Sequence, residues 1–140
     1  MPRRARSSAL LASGQLRALA VTSPTRLPSL PQVPTMTELG VDIIKTLWTG
    51  SAESFRSVVE GCPAIVALAG GEMGETLEDY LTMTREALDV GLGGVTYGRF
   101  VWSHPHTSSV IKALNALIHK NASVADSLKV YEADLAAGAQ

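Results

Sequence analysis

A chain of 140 residues, 46% of them hydrophobic, is long enough and apolar enough for one domain with its own core. Its formal net charge of −1, with no dense Lys/Arg patch after the first forty residues, gives no electrostatic reason to expect nucleic acid and points to a small ligand. The lone cysteine, Cys62, excludes an internal disulfide, and no apolar run approaches the roughly 18 residues of a membrane span. These features set the expectation of a soluble, cytoplasmic protein without metal or cofactor.

Charge is uneven along the chain. Arg3, Arg4, Arg6, Arg17 and Arg26 precede the first acidic residue, Glu38. An Arg- and Ser-rich, acid-free start is also the composition of an organelle transit peptide, whereas SSALLAS is too short for a secretory signal. Residues 1–13 are expected to be a disordered basic tail. LRALAVTS then has the pattern of a strand, and Pro24, Pro28, Pro31 and Pro34 forbid regular helix between them, so residues 14–37 form a strand and a Pro-rich linker.

From Glu38 to residue 138 strand-like and helix-like stretches alternate. VDIIKTLWT is a strand, followed by a short helix around AESFRSVVE with Ser51 as N-cap. AIVALA is a continuous apolar run suited to a strand buried on both faces. Thr76 caps a helix on which Leu77, Tyr80, Leu81, Thr84 and Leu88 keep helical spacing, and Gly91 stops it. GGVTYG is a third strand. A further helix presents Val110, Ile111, Leu114, Leu117 and Ile118, and a last one starts at Ser123 with Asp126 in capping-box position. Three strand-then-helix units in succession predict a parallel α/β sheet.

In such a sheet ligands sit at the C-terminal ends of the strands. Two of those ends are glycine-rich: Gly70-Gly71, and Gly98 followed by Arg99. They read either as tight strand-to-helix turns or as a cradle for an anion, with Arg99 adding a charged fork. Lys45, set among Ile43, Ile44, Leu47 and Trp48, must snorkel out, pair with an acid, or lie desolvated as a neutral amine able to form a Schiff base. His104, His106 and His119 read as surface histidines, because no carboxylate or cysteine completes a metal site around them. Asp42 and Glu38 are candidates to pair with a basic group, with Asp42 on the strand face opposite Lys45.

The pieces ELGVDIIKTLWTGSAESFRSVVEGCP, ALAGGEM, GLGGVTYGRFVWSHP and IKALNALIHKNASV occur in an order and spacing that resemble the C-terminal part of the class I aldolases of the archaeal fructose-bisphosphate aldolase type. That family also takes in 2-amino-3,7-dideoxy-D-threo-hept-6-ulosonate synthase and the autoinducer-2 phosphate thiolase. The resemblance implies a (β/α)8 barrel of which this chain holds about the last three β-α units, a full barrel taking about 250 residues. It implies that Lys45 is the Schiff-base lysine and that Gly70, Gly71, Gly98 and Arg99 line the phosphate pocket. The implied substrate is a small phosphorylated sugar or ketose, cleaved or formed at a carbon-carbon bond. Three features depart from the family pattern: GGPK reads GGEM at Glu72 and Met73, GRN reads GRF at Phe100, and the acid/base aspartate and tyrosine have no matching position.

GQLRALAVTSPTRLPSLPQVPTMTELGV, within residues 14–41, is similar instead to a stretch of the solute-binding receptors of tripartite tricarboxylate transporters. Three expectations stand side by side: a Schiff-base lyase completed by self-association or by a complementary barrel fragment, a barrel fragment without activity of its own, and a carboxylate-binding receptor fragment.

Overall fold

A computed structural model of the chain describes residues 9–70 and 76–138; Gly71, Glu72 and Met73 lie outside the described residues. The element order is β1 (Ile43–Thr46), α1 (Ala52–Glu60), β2 (Ile65–Ala69), α2 (Leu77–Asp89), β3 (Gly94–Thr96), α3 (Arg99–Trp102), α4 (Thr107–His119) and α5 (Val124–Gly138). One compact unit takes the residues up to Asp42 with Gly61–Ala64, and a second takes Ile43–Glu60 with the residues from Ile65 onward.

In the first unit, residues 9–12 are helical, closed by a hydrogen bond from the Ser13 N–H to the Ala9 carbonyl at 3.0 Å. The strand expected over LRALAVTS does not form. Only Val21 bridges to Thr35, in parallel, through Val21 N–H to Pro34 O and Met36 N–H to Val21 O, each 2.9 Å. The prolines of the linker fix φ and lack an N–H, so no ladder can extend past that bridge. Glu38 is the organising charge: it accepts from Arg26 Nε at 3.0 Å and from the Thr35 N–H at 2.7 Å, while the Thr35 hydroxyl accepts from the Glu38 N–H. Arg26 also donates to the Pro31 carbonyl at 3.2 Å, so a single guanidinium straps the Pro-rich loop to the Glu38 turn.

The second unit is built on a parallel sheet in the order β1-β2-β3. Register pairs Lys45 with Ala67 and Thr46 with Leu68, and Ala67 with Gly94 and Ala69 with Thr96. Side chains alternate across a strand, so Ile43, Lys45, Ile65, Ala67, Ala69 and Thr96 share one face, and Val66 and Leu68 share the other with Tyr97. The second face is the covered one: Val66 and Leu68 are buried, and the Tyr97 hydroxyl meets Thr84 of α2. The first face is open. Ile43 and Ile65 are 59% and 56% exposed, and only the alanines, too small to stand out of the sheet, are buried there. The expectation that AIVALA is buried on both faces therefore fails at Ile65: on that face only the small Ala67 and Ala69 are buried, and among the described residues none covers Ile65.

Helix boundaries follow from their caps. The Thr76 hydroxyl accepts from the Asp79 N–H and the Asp79 carboxylate accepts from the Thr76 N–H, a reciprocal box that starts α2. Gly91, at φ +101°, turns the chain out of it in a conformation other residues adopt only with strain. Ser51 caps α1 through the Ser54 N–H, and Ser123 caps α5 through the Asp126 N–H. The helices bury Leu81 of α2 with Val110, Ala113, Leu114 and Leu117 of α4, and Val124, Leu128 and Tyr131 of α5 close that cluster from the side. Lys112 of α4 pairs with Asp134 of α5 at 2.5 Å. No helix among the described residues is long and apolar enough to cross a membrane.

Two outcomes follow. Truncating Leu117, fully buried in the helix cluster, to Ala is expected to destabilise the second unit by about 2–5 kcal/mol, and Thr76→Ala by about 1 kcal/mol, both read from urea midpoints. The Arg26 hydrogen bond holds the Glu38 carboxyl below the ordinary carboxylate range. A depressed carboxyl stabilises above its unfolded pKa and loses that contribution as pH falls through its folded value. Acidification should thus open residues 24–38 to limited proteolysis, and Glu38→Gln should leave them open at every pH.

Candidate active site

The parallel register brings the ends of three strands together. Lys45 from β1, Ala69 and Gly70 from β2, Thr96 and Gly98 from β3, and Arg99, Phe100 and Trp102 from α3 line one cavity of about 250 Å³, with Tyr80 of α2. The sequence singled out Lys45, Gly70, Gly98 and Arg99, and all four lie there; Gly71 follows Gly70 outside the described residues. Among the described residues neither the Lys45 amine nor the Arg99 guanidinium has a hydrogen-bond or ion-pair partner, so two side-chain cations face one cavity uncommitted.

Of the three states open to Lys45 from sequence, the structure shows the exposed one. Its strand is at the sheet edge, its neighbour across the ladder is the small Ala67, and its face of the sheet is the uncovered one. The flanking isoleucines suggested a buried strand, but Ile43 is itself exposed and Ile44 alone points toward the helices.

Behind the cavity a set of buried hydroxyls fixes the glycine loop. Tyr80 donates to the Gly70 carbonyl at 3.1 Å. Thr84 spends its proton on the Tyr80 carbonyl at 2.5 Å, so the Tyr97 hydroxyl, 2.6 Å away, donates to Thr84. The Tyr97 ring also packs on Gly70, where a Cβ would meet its Cδ1 at 3.4 Å. Burial pushes the Tyr97 phenol up to about 12, and burial raises Tyr80 as well, against the opposing positive charge of Arg99. Tyr80 and Phe100 stack with ring centroids 3.5 Å apart and planes 9° apart, and Trp102, 69% exposed, lies over Gly98.

Tyr80, Thr96 and Trp102 were not recognised as site residues from sequence. Tyr80 has the spacing of a core position on its helix, and its role as a loop anchor depends on a contact ten residues back in the chain. Arg99–Trp102 is a helical turn, and that turn returns Trp102 to Gly98. His106 and His119 are exposed as expected, and the His106 N–H donates to His104 Nδ1 at 3.1 Å. Glu38 pairs with Arg26, which answers the expectation of a basic partner for it. Cys62 Sγ donates to the Ala64 carbonyl at 3.4 Å, and no group of His, Cys, Asp and Glu among the described residues can hold a metal ion.

Residues 34–104 match the model of the DeoC/LacD family aldolases. Over 93 residues the chain is 39% identical to an uncharacterised aldolase of Saccharolobus solfataricus, covering 66% of this chain and 34% of that protein. It is 39% identical over 85 residues to 2-amino-3,7-dideoxy-D-threo-hept-6-ulosonate synthase of Halobacterium salinarum, and 32% identical over 94 residues to 3-hydroxy-5-phosphonooxypentane-2,4-dione thiolase of Yersinia pestis. The structure is similar to that of an archaeal fructose 1,6-bisphosphate aldolase, with a TM-score of 0.56 and 26% identity over 83% of this chain and 50% of that one. The chain thus spans about a third of these curated relatives and half of the solved aldolase. Its three-stranded parallel sheet with flanking helices is part of a TIM barrel, the α/β architecture expected from the sequence.

Tyr97 gives the pocket wall a signature in alkali. Its pKa lies at about 12 in the folded chain against an ordinary value near 10, so its contribution is complete below pH 10 and is lost as pH rises through about 12. Between those limits the chain should lose about 1.4 kcal/mol per pH unit relative to Tyr97→Phe in paired denaturation curves; parallel curves for the two would contradict the burial of that phenol.

Proposed function

We propose, from the premise that this chain belongs to the DeoC/LacD aldolase family, that it supplies the Schiff-base and phosphate-binding part of a class I aldolase acting on a phosphorylated sugar or ketose. The single observation that carries this reading is the convergence of Lys45, Gly70, Gly98 and Arg99 on one cavity at the C-terminal ends of three parallel strands. Backbone N–H groups at Gly70 and Gly98 and the Arg99 fork receive the substrate phosphate. Lys45 Nζ attacks the ketone carbon and water leaves, forming a protonated imine. That imine accepts the electron pair of the bond between its α-carbon and the hydroxyl-bearing β-carbon as the bond breaks, while a base takes the proton of that hydroxyl and the β-carbon leaves as an aldehyde. Protonation of the resulting enamine and hydrolysis of the imine return the free lysine and the ketone product.

Two requirements of this chemistry are not met by the described residues. The attacking amine must be neutral, which desolvation favours, yet Lys45 stands exposed on the open sheet face. The base needs a titratable group, and the described lining has no carboxylate. A layer placed over the face of Ile43, Lys45 and Ile65 would answer both, and it comes either from a second copy of the chain or from a complementary barrel fragment. Among the described residues no further strand pairs with the outer edges of β1 and β3, and such a layer would pair there.

Borohydride reduction in the presence of a ketose phosphate, followed by peptide mass spectrometry, tests the assignment. The expected result is a reduced adduct on Lys45, lost in Lys45→Met and weakened at least ten-fold in Arg99→Met. Absence of any adduct at concentrations where the chain self-associates would sink the reading.

A further inference from the structure

We infer that Thr96 is a specificity-determining residue of the Lys45–Arg99 cavity: its hydroxyl accepts a hydrogen bond from a substrate hydroxyl beside the reacting carbonyl, and so selects a hydroxyketone phosphate over the deoxy counterpart. This rests on the reading of the cavity as the aldolase site. The first support is the direction of one bond. Thr96 donates from Oγ1 to the Leu68 carbonyl at 3.2 Å. A hydroxyl has one proton and two lone pairs, so with its proton held by β2 Thr96 offers the cavity acceptor capacity alone. Turning the proton outward would forfeit the bond to Leu68.

The second support is the balance of donors and acceptors in the described lining. Arg99, the indole N–H of Trp102 and the N–H groups of Gly70 and Gly98 only donate, and Ala69 and Phe100 have no polar side-chain atom. The lone pair of a neutral Lys45 is spent on the ketone carbon. Phosphate and carbonyl oxygens are acceptors and suit those donors, whereas a substrate hydroxyl brings a proton that needs an acceptor. Of the two side-chain hydroxyls in that lining, Tyr80 belongs to a buried side chain, and Thr96 is exposed on the sheet face that carries Lys45. Register sets Lys45 level with Ala67 and Gly94, and Thr96 level with Ala69, two strands across and two residues nearer the strand ends. Strand spacing and rise put the two Cα atoms about 12 Å apart, a gap that the Lys45 stem and a short ketose phosphate bridge together.

Calorimetric titration of the full chain with dihydroxyacetone phosphate and with hydroxyacetone phosphate, which has a methyl in place of the free hydroxymethyl group, tests this alongside borohydride trapping. Dihydroxyacetone phosphate should bind about five-fold more tightly, the net effect of one hydrogen bond. Thr96→Val should erase that advantage by weakening the hydroxylated ligand selectively, and Thr96→Ser, which keeps the oxygen, should retain it. Equal affinities in the unaltered chain, or a Thr96→Val variant that weakens both ligands alike, would overturn the role of Thr96 and leave the phosphate site standing. The expected discrimination without a reduced adduct on Lys45 would sink the lyase reading and leave the selection by Thr96 in place. Binding of neither ligand would overturn both.

Discussion

The parallel register of three short strands is the constraint on which the site depends. Pairing Lys45 with Ala67 and Ala69 with Thr96 places every strand end at the same side of the sheet. Gly70 and Gly98 then lie beside a lysine that precedes them by 25 and 53 residues in the sequence. A slip of one residue in β1 would turn Lys45 toward the helices and Ile44 toward the cavity. The fixed side-chain period of a strand is therefore what places Lys45 rather than Ile44 on the cavity.

The same sheet is asymmetric in a way that bears on chemistry. One face is closed by helices that bury Leu81, Val110 and Leu117 among themselves and reach the sheet through Tyr97 and Thr84. The other carries Ile43, Ile65 and Lys45 in solvent. Apolar surface left in water costs free energy in proportion to its area, and a nucleophilic amine gains from being dried. Both effects favour a covering layer over the same face, which links the stability of the sheet to the reactivity proposed for Lys45.

Much of this was legible in the sequence, and the reasons are local. Thr76 with Asp79 and Ser123 with Asp126 sit at capping-box spacing, and Gly91 ends its helix because a positive φ is needed there, so helix limits could be read directly. The succession of three strand-helix units predicted the parallel sheet, and Lys45 on the first strand with the glycines and arginine after the second and third marked four of the cavity residues. What could not be read depends on partners distant in sequence. LRALAVTS has the pattern of a strand but meets a proline-rich segment that cannot continue a ladder. Apolar neighbours left Lys45 open between exposure, pairing and desolvation, and its exposure depends on the uncovered sheet face, which the local pattern does not show. Tyr80 keeps the spacing of a core position and Trp102 carries no motif of its own, so only the contacts at Gly70 and Gly98 place them.

The central claim is that Lys45, Gly70, Gly98 and Arg99 act as one site. It is tested most directly by titrating isotopically labelled chain with inorganic phosphate and following backbone amide and lysine side-chain resonances by NMR. The account predicts that the Gly70 and Gly98 amides, Arg99 Nε and the Lys45 side chain shift together along one binding curve that Arg99→Met abolishes. Shifts confined to other parts of the chain, or separate curves for the two glycine loops, would contradict it.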